Sequence, residues 1–229
     1  MAYQTDTEYT GTIHNLIFYK RNGKFLIRTV PVQAAASQKS AKAFGIASSK
    51  GKALRTLLTP LIPHLKDRDM QNRLATAMFK FLTSGKDELL PDSNPLTGFK
   101  FVSTSDLKNC LHIPFHTDHL PGGNIRFDLP AMNPKESLTA PDGTSRVELR
   151  VMAVSFDPAR NGSFAGTPQL IDIPYTDEIQ APLSLVLETG AKTGNIVVLA
   201  LALGFVKQDK PIVKEGFTPV EIVAVIERP

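Results

Sequence analysis

Tryptophan is absent from this chain, cysteine occurs once, and aromatic side chains make up only 7% of it. A single thiol, Cys110, excludes an internal disulfide. So few rings leave little platform for stacking a cofactor or a base. The longest apolar run, Ile196 to Val206, spans 11 residues, well short of the ~20 that a helical bilayer crossing needs. Met1 to Thr10 is polar and holds no apolar signal core. The expected compartment is therefore the cytoplasm by default, with non-classical export or incorporation into a particle as the alternatives.

Carboxylates are missing where they would be most expected. From Tyr9 to Lys66, 58 residues contain no Asp or Glu, yet they carry Lys20, Arg21, Lys24, Arg28, Lys39, Lys42, Lys50, Lys52, Arg55 and Lys66. The whole chain is only +4, so the remainder must lean acidic. Residues 1–90 hold 14 basic and 6 acidic side chains, and residues 91–229 hold 12 and 16. That polarity sets up a directional field that attracts an anionic partner, or the acidic half of another copy. At 229 residues the chain is long enough to bury a core without help from metal or disulfide.

What is present begins with a β-hairpin. Thr10–Tyr19 and Lys24–Val30 flank Asn22-Gly23, a pair that favours the type I′ turn because both central residues need positive φ. Centring the turn there pairs Arg21 with Lys24, Tyr19 with Leu26 and Ile17 with Arg28, and puts Leu16, Phe18, Phe25 and Ile27 on the other face. Both faces are apolar, and a lone hairpin is marginal in water, so this one needs a surface to lie on. Helical periodicity follows. From Lys39 to Thr59 and on to Leu61, Phe44, Ala47, Gly51, Leu54, Leu58 and Leu61 fall in 3-4 spacing, with Pro60 and Pro63 as terminators. A second helix is predicted over Asp67 to Thr83, with Met70, Leu74, Ala77, Met78 and Phe81 as its stripe, Asp67 or Asp69 at its start and Gly85 as its stop.

A polar, proline-containing stretch from Ser84 to Pro95 marks a boundary, after which the period becomes two. Strands are predicted at Gly98–Ser103, Cys110–Phe115, Asn124–Leu129, around Val147–Ala153, around Leu183–Leu187, along Ile196–Val206 (apolar on both faces, as in a central strand) and at Val220–Ile226. Gly122-Gly123, Asp142-Gly143 and Asn161-Gly162 punctuate them. The expected fold is α+β: a hairpin and two-helix basic module over 1–90, then an antiparallel β-sandwich, Ig-like or jelly-roll-like, over 91–229.

Gly11 to Arg28 (GTIHNLIFYKRNGKFLIR) and Phe44 to Arg55 (FGIASSKGKALR) resemble a family of uncharacterised proteins from Bacteroidetes genomes. In that family a glycine-led hairpin ending in a G-K-x-x-x-R pattern precedes a basic helix. The likeness continues through Asn72-Arg73-Leu74, Leu96 to Phe101 and Leu201–Val206. It implies a bacterial origin and the hairpin, helices and sandwich plan. Its motifs are structural and imply no activity.

Three groups of residues carry chemistry. Cys110, His112, His116 and His119 put three of the five histidines beside the only cysteine. These are zinc-ligand types, and an extended Cys110–His116 would align Cys110, His112 and His116 on one face. Their spacing matches no standard motif, and the plain alternative is a half-exposed strand with a polar face. The second group, Lys20, Arg21 and Lys24 at the hairpin tip with Lys50, Lys52 and Arg55 on the helix, suits nucleic acid or another anion, or else simply a solvated basic face. The third is Ile17, Phe18, Tyr19, Phe25, Leu26 and Ile27, an apolar ribbon suited to assembly by strand addition to a neighbour. Gly45 to Ala53 imitates a phosphate loop, but five residues separate its glycines and Ala53 cannot bind magnesium. No G-x-S-x-G signature and no carboxylate pair in an acid/base setting occurs. The expected function is a structural or assembly protein forming homo-oligomers through the N-terminal arm. Nucleic-acid binding and metal binding are the alternatives, and no enzyme is expected.

Overall fold

A computed structural model describes residues 2–3, 8–31, 34–61, 67–84, 94–160 and 162–227. The chain divides into two compact units, Met1–Lys42 and Ala43–Pro229. The fold is α+β, and its sheets are antiparallel.

In the first unit the expected turn forms. Asn22 and Gly23 both take positive φ, 53° and 77°, and β3 (Leu16–Arg21) pairs with β4 (Lys24–Thr29) in the expected register. The hairpin is not alone. Thr10–Tyr19 is broken by a second tight turn at His14, whose φ is 53°, so β2 (Gly11–Ile13) folds back on β3. At the other edge β1 (Ala2–Tyr3) pairs with β4. The product is a four-stranded sheet in the order β1-β4-β3-β2, so strand addition directly to the hairpin's own edges, the expected route of assembly, is pre-empted by short strands of the same chain. Cations lie over its rings, Lys20 above Phe25 and Arg28 above Tyr19.

Helix α1 (Ala35–Leu57) begins four residues before the expected Lys39 and runs across the division between the units. Its stripe is as predicted at Ala47, Gly51 and Leu54, continuing to Leu58 and Leu61. Phe44 departs from it, exposed, with its ring tilted at 52° to that of Phe79 and the centroids 5.9 Å apart. Helix α2 (Met70–Thr83) buries Met70, Leu74, Ala75, Met78 and Phe81. Pro63, Lys66, Gly85, Asn161 and most of the Ser84–Pro95 boundary lie outside the described residues.

The remaining strands are β5 (His116–His119), β6 (Ile125–Leu129), β7 (Arg146–Phe156), β8 (Ser163–Ala165), β9 (Gln169–Pro174), β10 (Leu183–Leu187), β11 (Ile196–Lys207), β12 (Lys210–Ile212) and β13 (Val220–Glu227), with a single helical turn, α3 (Pro134–Ser137), after β6. Strand β11 is central. It pairs with β7 along its whole length on one side and with β13 and then β12 on the other. Every residue from Ile196 to Leu203 is buried, which accounts for the absence of polar alternation there. Ile196, Val198, Ala200 and Ala202 share a core with the stripes of α1 and α2, and Val197, Leu199, Leu201 and Leu203 share another with Ile125, Phe127 and Leu129 of a small β10-β6-β5 sheet. The helix stripes thus cover one face of the main sheet, and the smaller sheet covers the other, so the sheet's two apolar faces meet different partners.

Two expected strands are not strands. Gly98, at φ 77°, bends Gly98–Ser103, which meets β13 only as an isolated bridge, Lys100 to Glu221: the Gly98 and Phe101 N–H groups donate to the Ile222 and Val220 carbonyls, and the Ile222 N–H donates to the Phe99 carbonyl. In Cys110–Phe115 the Cys110 N–H closes a 3₁₀ turn onto the Leu107 carbonyl. Pro114, lacking an N–H, cannot donate to a ladder, and regular pairing begins only at β5.

Candidate functional site

The expected zinc ligands therefore do not share a strand face. Cys110 is buried, its Sγ 3.7 Å from the Gly216 carbonyl, and burial, helped by the charge of Asp106, pushes its thiol up to about 11. A thiol held protonated at neutral pH is neither a ready ligand nor a nucleophile. His112 Nε2 bonds Thr139 Oγ1 at 2.7 Å, and His116 Nε2 bonds Asp118 Oδ1 at 2.8 Å on the exposed face of β5. His119, at the far end of β5, is exposed. Among the described residues no group of three His, Cys, Asp or Glu is placed to hold a metal ion.

Around His116 lies a polar ladder that the sequence did not signal. Asp118 faces Arg126 across β5 and β6; Arg126 ion-pairs with both Asp118 and Asp128, and Ser184 of β10 donates to Asp128. The Arg126 bond is the main cause holding the Asp118 carboxyl below its ordinary value. Its members are consecutive cross-strand neighbours on an open sheet surface. That suits mutual neutralisation of charge and supplies no water-excluded pocket for acid–base chemistry.

The basic residues separate into three environments. At the hairpin tip Arg21 is exposed and Lys20 lies over Phe25; Lys24 is exposed beside them. Lys50 is committed to the fold: its Nζ donates to the Asp157 carbonyl at 2.8 Å and to that of Arg160. Asp157 in turn accepts from the N–H groups of Ala159 and Arg160, the first cause of its lowered pKa. Lys52 and Arg55 lie on the other flank of α1. There they line a groove of about 360 Å³ with Gly45, Ser48, Ser49 and Gln71.

Two carboxylates organise the second unit. Asp67, a residue expected at the start of α2, receives four hydrogen bonds; the other, Glu221, gave no signal in the sequence. Glu221 of β13 is 8% exposed and accepts weakly from Leu107 N–H at 3.4 Å. Burial raises its pKa above the usual value, with the Leu107 N–H acting against that, Asp106 adding to it, and Lys100 and Lys108 opposing. An acid whose folded pKa is raised contributes stability that is complete below its unfolded value and lost as pH rises through the folded one. Glu221→Gln should therefore raise the melting temperature at neutral pH. The gain should vanish as pH falls below about 4, and thermal melts of both proteins across that range check it.

No family model, curated protein or solved structure matches the chain. Among the described residues no helix is long and apolar enough to cross a membrane.

Proposed function

We propose that this chain is a structural or assembly protein that associates with further copies of itself through its N-terminal unit. One observation carries the reading. Among the described residues of Met1–Lys42, Leu26 is the only buried side chain. A sheet holding Ile17, Tyr19 and Leu26 on one face and Leu16, Phe18, Phe25 and Ile27 on the other normally buries those faces against another layer. A unit of this size rarely builds its own core and often borrows one by oligomerising. Tyr9, Ile13 and Val30 add exposed apolar area beside it. Charge suits the same partner, since the basic amino-terminal part complements the acidic remainder of a second copy. With β1 and β2 flanking the hairpin, the contact is made through sheet faces rather than by strand addition to the hairpin itself.

Light scattering on the purified protein at tens of micromolar should give a defined multiple of 25.0 kDa. Deleting residues 1–31 should return a monomer. Because a deletion can also unfold the chain, Ile17→Asp and Phe18→Asp, one on each face, provide the finer test. The variant on the contact face should weaken association about a hundredfold, as loss of a central apolar anchor does. An intact chain that stays monomeric at that concentration overturns the reading.

A further inference from the structure

We propose that the groove between α1 and α2 is a binding site for a phosphate oxyanion, with Lys52 and Arg55 as its cations. The argument begins with the helical spacing. Gly45, Ser48, Ser49, Lys52 and Arg55 recur in near-helical steps along one flank of α1, beside the buried stripe of Ala47, Gly51 and Leu54. Gly51 brings the two helices close: a Cβ built there would lie 3.5 Å from Leu74 Cγ and 3.7 Å from the Ala75 nitrogen. Across the groove α2 offers the Gln71 amide, with Leu74 at its base. The walls thus carry hydroxyls, an amide and two cations, and no carboxylate.

What sets these cations apart is their place: both line one groove whose walls carry no carboxylate. Elsewhere in the second unit Arg73, Lys100, Arg126 and Arg146 each meet a carboxylate. Lys52 and Arg55 form no ion pair among the described residues, although Arg55 is half-buried. Two like charges three residues apart on a helix repel one another, and a bound anion removes that repulsion. Gly45 adds a separate indication. It sits inside a helix, where glycine is unfavourable, and an added Cβ would find nothing within 4 Å. Neither packing nor backbone geometry calls for it, and its effect is to leave this part of the groove wall open to close approach. Arginine fits two phosphate oxygens with its planar fork, lysine adds a point charge, and serine hydroxyls can complete the shell. A volume of about 360 Å³ lies at the small end of ligand pockets. It suits one phosphate with the sugar or ester attached to it. Free phosphate and the phosphodiester of a nucleic-acid strand share this chemistry.

The test uses the full chain at low salt with two probes, a short fluorescently labelled single-stranded oligonucleotide followed by anisotropy and inorganic phosphate followed by calorimetry. At least one should bind. In the Lys52→Ala/Arg55→Ala double variant its affinity should fall at least about tenfold, and for the oligonucleotide the salt dependence of log K should become shallower by about two counterions. Gly45→Leu, which fills the groove without altering a charge, should weaken binding comparably without lowering the melting temperature. Binding of the oligonucleotide assigns the site to a phosphodiester chain, and binding of inorganic phosphate alone assigns it to the free anion. The proposal is overturned if neither probe binds, or if binding persists unchanged in folded Lys52→Ala/Arg55→Ala and Gly45→Leu proteins.

Discussion

Replacing Gly166 with alanine is expected to destabilise the protein by about 3 kcal/mol, towards the upper end of what overpacking a well-filled interior costs. Gly166 is buried just after β8, and its N–H donates to the Ala153 carbonyl of β7 at 3.1 Å. A Cβ there would lie 2.8 Å from that same oxygen and 2.6 Å from the Glu188 carbonyl. Both are backbone atoms, so no side chain can swing aside to make room. Relief requires moving the strand edge of β7 or the segment that follows β10, where Ser155 Oγ already donates to the Thr189 carbonyl at 2.8 Å. One methyl group therefore wedges apart the two segments that β8 brings together. Gly45→Ala is the internal control: with open space around the added methyl, it should stabilise α1 by about 1 kcal/mol through helix propensity alone. Urea unfolding of the two variants should move the midpoints in opposite directions. If Gly166→Ala stays within about 0.5 kcal/mol of the parent, the close approach of the two carbonyls is wrong.

The elements readable from sequence are those whose signal is local. Asn22-Gly23 sets the hairpin register because the turn demands positive φ at both residues. The stripes of α1 and α2 follow from 3.6-residue periodicity, and β11 is legible as central because it has no polar face. What escaped needed knowledge of partners. An apolar face on β11 does not say whether a helix or a second sheet will cover it, and here one face takes each. The turn at His14 carries no glycine to announce the left-handed conformation, so β2 merges with β3 in the sequence pattern. Cys110–Phe115 alternates convincingly, but the 3₁₀ turn closed on Leu107 and the proline at 114 override that pattern.

The site shows the same limit at finer scale. A block of cations without carboxylates is visible in composition, yet Lys50 and Lys52 have opposite fates although one residue separates them. Two steps along a helix rotate a side chain by roughly 200°, which turns Lys50 to the carbonyls of Asp157 and Arg160 and Lys52 to the groove. Nothing local distinguishes the two lysines. The difference is made by a loop more than a hundred positions away. The histidine cluster shows the complementary case: its members are close in sequence, but Cys110 is drawn into the core while His116 lies on an open sheet surface.

Asp67→Asn should cost about 2–3 kcal/mol at neutral pH, and the pH dependence of that loss identifies its origin. One carboxylate oxygen accepts the N–H groups of Asp69 and Met70, both at 2.9 Å, where α2 begins and its first N–H groups have no helical partner. The other oxygen accepts from Arg73 Nη2 at 2.8 Å and from Ser103 N–H at 3.1 Å. Arg73 also donates to the Lys100 carbonyl at 2.8 Å, so this side chain, only 12% exposed, ties the start of α2 to the segment bridged to β13. Burial pushes the Asp67 pKa up, but the bonds from Ser103, Arg73 and Asp69 outweigh it and hold it at about 2 against an ordinary 3.8. At about 1.4 kcal/mol per unit, that difference is the source of the estimated cost. Asparagine keeps one acceptor oxygen but turns an NH₂ group towards the guanidinium and the Ser103 N–H, donor against donor. Because the folded pKa is depressed, the carboxylate's contribution is fully present above the unfolded value and is lost as pH falls through the folded one. The parent and Asp67→Asn stabilities should therefore differ most above pH 4 and converge as pH approaches 2. Denaturant unfolding at a series of pH values measures that gap directly. A gap that does not narrow in acid would mean that packing around residue 67, not its charge, holds the start of α2 in place.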